Sequence, residues 1–189
     1  MDVVKELLKY GAYYNKVNEQ TNETAQKATS NDDIKKFLQD IDTLFRAVKE
    51  NNYDVFYDSF KKFLQEQFNA GCIKDKDGKT ILHYAVINKS KKITNFLIDH
   101  ESQINIHDFS NKSALYYAVE GNDWEMVKLL FRGGSEYDLI MFNDTKINNE
   151  CTDNLHKIGE CFELLYEEEI GEFMHKLEET DFGMNLCDV

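Results

Sequence analysis

Apolar residues along this chain recur in helical stripes, and the stripes themselves recur. Leu82, Ala85 and Val86 are followed by Ile93, Phe96, Leu97 and Ile98; 33 residues further on, Leu115, Ala118 and Val119 are followed by Met126, Val127, Leu129, Leu130 and Phe131. Spacings of three and four residues mark the buried face of an α-helix. The pattern predicts a pair of short helices over 80–100 and a second pair over 113–133, with no strand longer than a turn. Ahead of each pair stands a polar stretch, Asp75–Lys79 and Asp108–Lys112. Gly78 and Asn111 suit a turn position that favours left-handed backbone. Thr80 and Ser113 are placed to cap the first helix of each pair. A fixed period of this length marks stacked supersecondary units that bury their apolar faces on one another.

The pattern continues less regularly on both sides. Val3, Val4, Leu7 and Leu8 predict a helix stopped at Gly11, equivalent to the second of a pair whose first is missing. Asn22–Ala25 opens a shortened unit: Ala28 falls on its first helix, Ile34, Phe37 and Leu38 on its second, with Asn31 as cap and Asp32 and Asp33 in the first turn. Asp42–Asn52 reads as the next first helix, Ala47 and Val48 standing where Ala85 and Val86 stand. That unit carries five extra residues, since Ala47 to Asp75 spans 28 against 23 from Ala85 to Asp108. They are expected in a longer second helix, ending before Gly71, with Val55, Phe56, Ser59, Phe60, Phe63 and Leu64 on its apolar face and Phe68 extending it. Its phenylalanine stripe is read as core. After Ile140 the repeat fails. Leu155, Ile158, Phe162 and Leu165, then Ile170, Phe173, Met174 and Leu177, predict two amphipathic helices with glutamates outward and a frayed tail over Asp181–Val189.

The stretch Asp75–Val86 resembles the start of an ankyrin repeat, D-x-x-G-x-T-P-L-H-x-A. Asp75, Gly78, Thr80, Leu82, His83 and Ala85 fall on that pattern, and Ile81 replaces the proline. Asp108, Leu115 and Ala118 repeat it one ankyrin length later. The resemblance implies an all-α solenoid of helix pairs with β-turn fingers, divided into a partial repeat at 1–17, degenerate repeats at 18–41 and 42–74, and regular repeats at 75–107 and 108–140. Residues 141–189 are expected to form an acidic helical C-terminal cap. It further implies that His83 bridges neighbouring fingers through both ring nitrogens, a structural role that Tyr116 weakens in the next repeat. The half-repeat at the N-terminus implies a segment of a longer array, with an open apolar edge at Val3, Val4, Leu7 and Leu8.

The net charge of −13 is unevenly spread: residues 141–189 hold 13 acids against 3 bases. Such a field opposes nucleic acid and anionic membranes and favours solvation of the end of a stack. No apolar run approaches 18 residues, and the N-terminus lacks a basic-then-apolar leader. Cys72, Cys151, Cys161 and Cys187 show no C-x-x-C spacing and read as reduced thiols, which places the protein in the cytoplasm, with the nucleus as alternative. Cys151–His156–Cys161 matches no zinc spacing. No phosphate loop, H-E-x-x-H or G-x-S-x-G is present, so no enzyme, metal or cofactor is expected.

The expected function is a protein-interaction scaffold, monomeric or part of a longer chain. By the resemblance, the partner lies on the concave face of fingers and first helices. The period maps that face to Arg46, Lys76, Lys79, Tyr84, Ile87, Phe109, Lys112, Tyr117 and Glu120, with Lys49, Asp77 and Ser110 beside them. Tyr84 and Tyr117 occupy equal positions, and tyrosine offers large contact area with a polar tip. Two alternatives stand: an acidic C-terminal region that holds a basic protein segment, or a regulatory segment of a larger enzyme or effector. Asn105 resembles ankyrin asparagines that a dioxygenase hydroxylates, although it is first a turn residue.

Overall fold

The computed structural model describes residues 2–15, 17–100 and 103–136. Among them are eight α-helices: α1 (Asp2–Lys9), α2 (Ala25–Ala28), α3 (Asp32–Lys49), α4 (Tyr53–Gln65), α5 (Ile81–Ile87), α6 (Lys91–Asp99), α7 (Ala114–Glu120) and α8 (Trp124–Arg132), with a 3-10 turn at Ala70–Cys72. Extended structure among the described residues is confined to two isolated bridges. The cap expected over 141–189 lies outside the described residues.

Helices pair as α3 with α4, α5 with α6 and α7 with α8, and the pairs stack in two rows, α3–α5–α7 and α4–α6–α8. Local sequence explains the short, repeated units. Ser113 accepts a hydrogen bond from the Tyr116 amide and Asp123 from the Met126 amide, so α7 and α8 each start on a capped turn. Between the two helices of every pair one residue turns left-handed: Asn51, Lys89 and Asn122, at φ 53, 54 and 50°. The next amide then returns to the first helix, Asn52 to Ala47, Ser90 to Ala85 and Asp123 to Ala118. Leu82, Leu97, Leu115 and Leu130 are buried between the rows, and Ala85 and Ala118 let the first helices approach closely.

The N-terminal part differs from the helices expected there. α3 runs 18 residues without a break, across the boundary expected between residues 41 and 42. Gln39–Thr43 contains no glycine, proline or asparagine to stop a helix, and Ile41 and Leu44 continue the buried face of Phe37 and Leu38. A shortened helix pair followed by a separate first helix is thereby replaced by the four-residue α2 and one long helix. No finger can precede the helix turn at Asp42. The stretch Tyr13–Tyr14 lies there instead: Tyr13 bridges Lys74 in parallel, the Tyr14 amide donates to the Lys74 carbonyl at 3.3 Å, and the Tyr14 ring stacks on Phe45 at 4.8 Å.

α1 sits against the far end of α4. Lys5 pairs with Glu66 at 2.7 Å and its ammonium lies over the rings of Phe37 and Phe68. Leu8, expected on an open edge, is buried, whereas Val3 and Leu7 remain 72% and 56% exposed. α4 is long, as expected, and Phe56, Phe60, Phe63 and Phe68 are core. Val55 and Leu64 are not: both face solvent at the margins of that stripe.

Candidate partner-binding face

Each finger is built around one aspartate. Asp75 Oδ1 accepts from the amides of Asp77 and Lys79, and Asp108 Oδ1 from those of Ser110 and Lys112, all at 2.8–3.0 Å. Short polar side chains that bond their own backbone two residues on make such turns. Gly78 and Asn111 supply the left-handed residue, at φ 79 and 61°. The second carboxylate oxygen reaches the first helix. Tyr84 donates its hydroxyl to Asp75 Oδ2 and Tyr117 to Asp108 Oδ2, both at 2.6 Å. Finger and first helix therefore form one continuous surface in each repeat.

Two further links tie one repeat to the next. His83 Nδ1 accepts from the Thr80 amide at 3.1 Å, which leaves Nε2–H to donate to the Lys112 carbonyl, also at 3.1 Å. Burial depresses the His83 pKa to about 4, so the ring is neutral and this tautomer is fixed. The bridge expected from the family pattern is thus present at His83. Tyr116 is buried in the corresponding place, with the Lys112 ammonium 4.1 Å from its ring centre. Lys79 pairs with Asp108 at 3.1 Å. Burial would lift the Asp108 carboxyl, but hydrogen bonds from Tyr117, the Lys112 amide and Lys79 outweigh it, and the group lies below the usual carboxylate range.

The mapped residues fall into three groups. Tyr84 and Tyr117 are half-buried and tethered, and their hydroxyls are held protonated by burial and by the aspartates they bind. Lys79 and Lys112 are likewise half-buried, Lys112 lying 3.6 Å from Glu120. Arg46, Lys76, Ile87 and Phe109 are exposed, the last two at 40% and 53%. Phe109 lies over the finger before it: its amide donates to the Asp77 carbonyl at 3.1 Å, and a Cβ on Gly78 would come within 2.8 Å of its ring. On its other side Tyr13 meets it edge-on at 4.8 Å. Asn105 lies in the turn that follows α6. Its amide clamps the loop after α8, donating to the Gly134 carbonyl at 3.4 Å and accepting from the Glu136 amide at 2.9 Å.

The aspartate–tyrosine tethers were not read from the sequence, although a signal existed, since tyrosine follows the finger aspartate by nine residues in both repeats. Tyr13 gave no local signal at all. Among the described residues no group of three His, Cys, Asp or Glu side chains is arranged to hold a metal ion, and no helix is long and apolar enough to cross a membrane.

The family model described as ankyrin repeats, in three copies, matches residues 44–141, or 98 of 189 residues. This chain belongs to the ankyrin-repeat family. The match opens inside α3, at the point from which helices pair regularly, and leaves α1 and α2 outside it. An ankyrin repeat protein of Acanthamoeba polyphaga mimivirus is 24% identical over 110 residues, covering 58% of this chain and 14% of that protein. One from Fowlpox virus is 31% identical over 72 residues, covering 38% and 17%. The matched stretch is therefore less than a fifth of the length of either relative. Ankyrin repeats generally mediate protein–protein interaction and are typically non-enzymatic modules.

Proposed function

We propose that this ankyrin chain is a protein-binding module that seats a partner segment on its fingers and first helices. The observation that carries this reading is the exposure of two large apolar side chains, Ile87 and Phe109, on a face otherwise lined by tethered tyrosines and lysines. Apolar groups rimmed by charge are a common composition for an interaction site. The face is also preorganised: the tyrosine–aspartate tethers and the His83 bridge fix it before any partner arrives, which lowers the entropy lost on binding.

A photo-crosslinking side chain placed at Phe109 tests the reading in extracts of the source cells, with the same group at Lys92 on α6 as the outer-face control. A protein adduct from position 109 that is absent from position 92 is the expected result. Adducts from position 92 alone would move the binding face to the second helices.

A further inference from the structure

Phe109 projects from one finger and comes to rest on another. Its amide donates to the Asp77 carbonyl, and its ring lies against the backbone of Gly78, so close that a Cβ there would fall 2.8 Å from the ring. Bare backbone supports the ring from one side without walling it in. The other support is Tyr13, whose ring meets Phe109 at 4.8 Å and an interplanar angle of 67°, the edge-on geometry that aromatic pairs prefer. With both contacts in place Phe109 is still 53% exposed. An exposed side chain without such a stop exchanges among its staggered χ1 wells.

Tyr13 can act as that stop because its own backbone is pinned. It bridges Lys74 in parallel, and the next amide donates to the Lys74 carbonyl. The neighbouring Tyr14 side chain belongs to the core: it is buried, stacked on Phe45 and hydrogen-bonded to Asp42. Two adjacent residues thus send one ring into the core and the other onto Phe109. We infer that Tyr13 is a positioning residue of the partner-binding face, which confines Phe109 to the one rotamer whose open side meets the partner. The inference rests on the reading of this face as a protein-binding site, and it extends that face to a residue outside the repeat period and outside the matched residues 44–141. Release of the ring among three staggered wells would cut the competent fraction to about one third, and the apparent affinity with it.

Two measurements test it. In the purified chain, three-bond scalar couplings to the Phe109 Cγ read the χ1 population. They should report one rotamer in the unaltered protein and in Tyr13→Phe, which keeps the ring, and averaging over several rotamers in Tyr13→Ala. The protein recovered in the position-109 adduct is then purified and titrated by calorimetry. Tyr13→Ala should weaken its binding about threefold. Tyr13→Phe should leave it unchanged, as should Tyr10→Ala, a change in the same segment at a side chain 87% exposed. Thermal melts check that each variant is folded. Averaged couplings already in the unaltered protein, a single rotamer in Tyr13→Ala, unchanged affinity of that variant, or an equal loss in Tyr13→Phe or Tyr10→Ala would overturn the positioning role and leave the binding face standing. Absence of any protein adduct at position 109 would remove the face, and this role with it.

Discussion

The regular repeats and the N-terminal part place the same kind of residue at the same point of a helix with opposite results. Ile93 and Leu97 on α6, and Met126 and Leu130 on α8, are wholly buried. Val3 and Leu7 hold the matching positions on α1, as the common amide-to-carbonyl closures Ala12 to Leu7 and Ser135 to Leu130 show, yet both face solvent. The difference lies in the neighbour. α6 and α8 each pack on a first helix, α5 and α7, whereas α1 follows no such partner among the described residues. An apolar stripe stabilises a solenoid only where the adjoining unit covers it.

Removing one side chain from each region gives the widest separation. Leu97→Ala should cost about 2–5 kcal/mol in urea denaturation, through lost burial and the cavity left behind. Leu7→Ala should cost less than about 1 kcal/mol, since its side chain is already in water. Equal losses would show that α1 is covered in solution.

The second contrast is between repeats. His83 is buried and neutral with a pKa of about 4, against about 6.5 when unfolded. Between those values the unfolded chain binds the extra proton, so this contribution to stability is complete above pH 6.5 and falls as pH drops toward 4. The loss reaches about 3 kcal/mol at about 1.4 kcal/mol per pH unit. Tyr116 holds the equivalent place without an imidazole. His83→Gln should therefore flatten the stability profile between pH 4 and 6.5, as read by thermal melts across that range. An unchanged slope would assign the acid sensitivity to another group.

The third contrast is between fingers. Gly78 sits at φ 79°, and a Cβ there would lie 2.7 Å from the Phe109 amide nitrogen. Gly78→Ala should destabilise by about 1–3 kcal/mol and displace Phe109. Asn111→Gly should change stability by only a few tenths of a kcal/mol, because Asn111 already adopts φ 61°. Urea midpoints of the two variants measure the difference.

The sequence made the regular repeats legible because their information is local. Gly78, Asn111, Thr80 and Ser113 each act within a few residues, and the stripes at 82–98 and 115–131 keep a fixed period. α3 was misread because it depends on something missing. Ile34, Phe37 and Leu38 look like one helix and Leu44, Ala47 and Val48 like another, but nothing between them breaks the backbone, and propagation adds a hydrogen bond per residue. The finger-and-helix face was legible as a set of equivalent positions and not as contacts. Tyr84 and Tyr117 were correctly placed at matching points of adjacent first helices, but their hydroxyl bonds to Asp75 and Asp108 needed the tertiary structure. Tyr13 meeting Phe109 across 96 residues of chain, 109 minus 13, lay beyond any local rule.

The joints between fingers also bear on how such a protein can lengthen. His83 meets the carbonyl of Lys112, and the Lys74 ammonium meets that of His107 at 3.2 Å, so each joint links residues about one period apart and mostly through backbone acceptors. A tandem copy of residues 75–107 would bring Asp75 directly after His107, where Asp108 now stands, and offer every incoming side chain the acceptors it already uses. Gene duplication at that seam adds a complete unit without redesigning an interface. A seam at residue 41 would instead cut a helix in mid-course and duplicate half of it, so growth by copying is built into one region of this chain and foreclosed in the other.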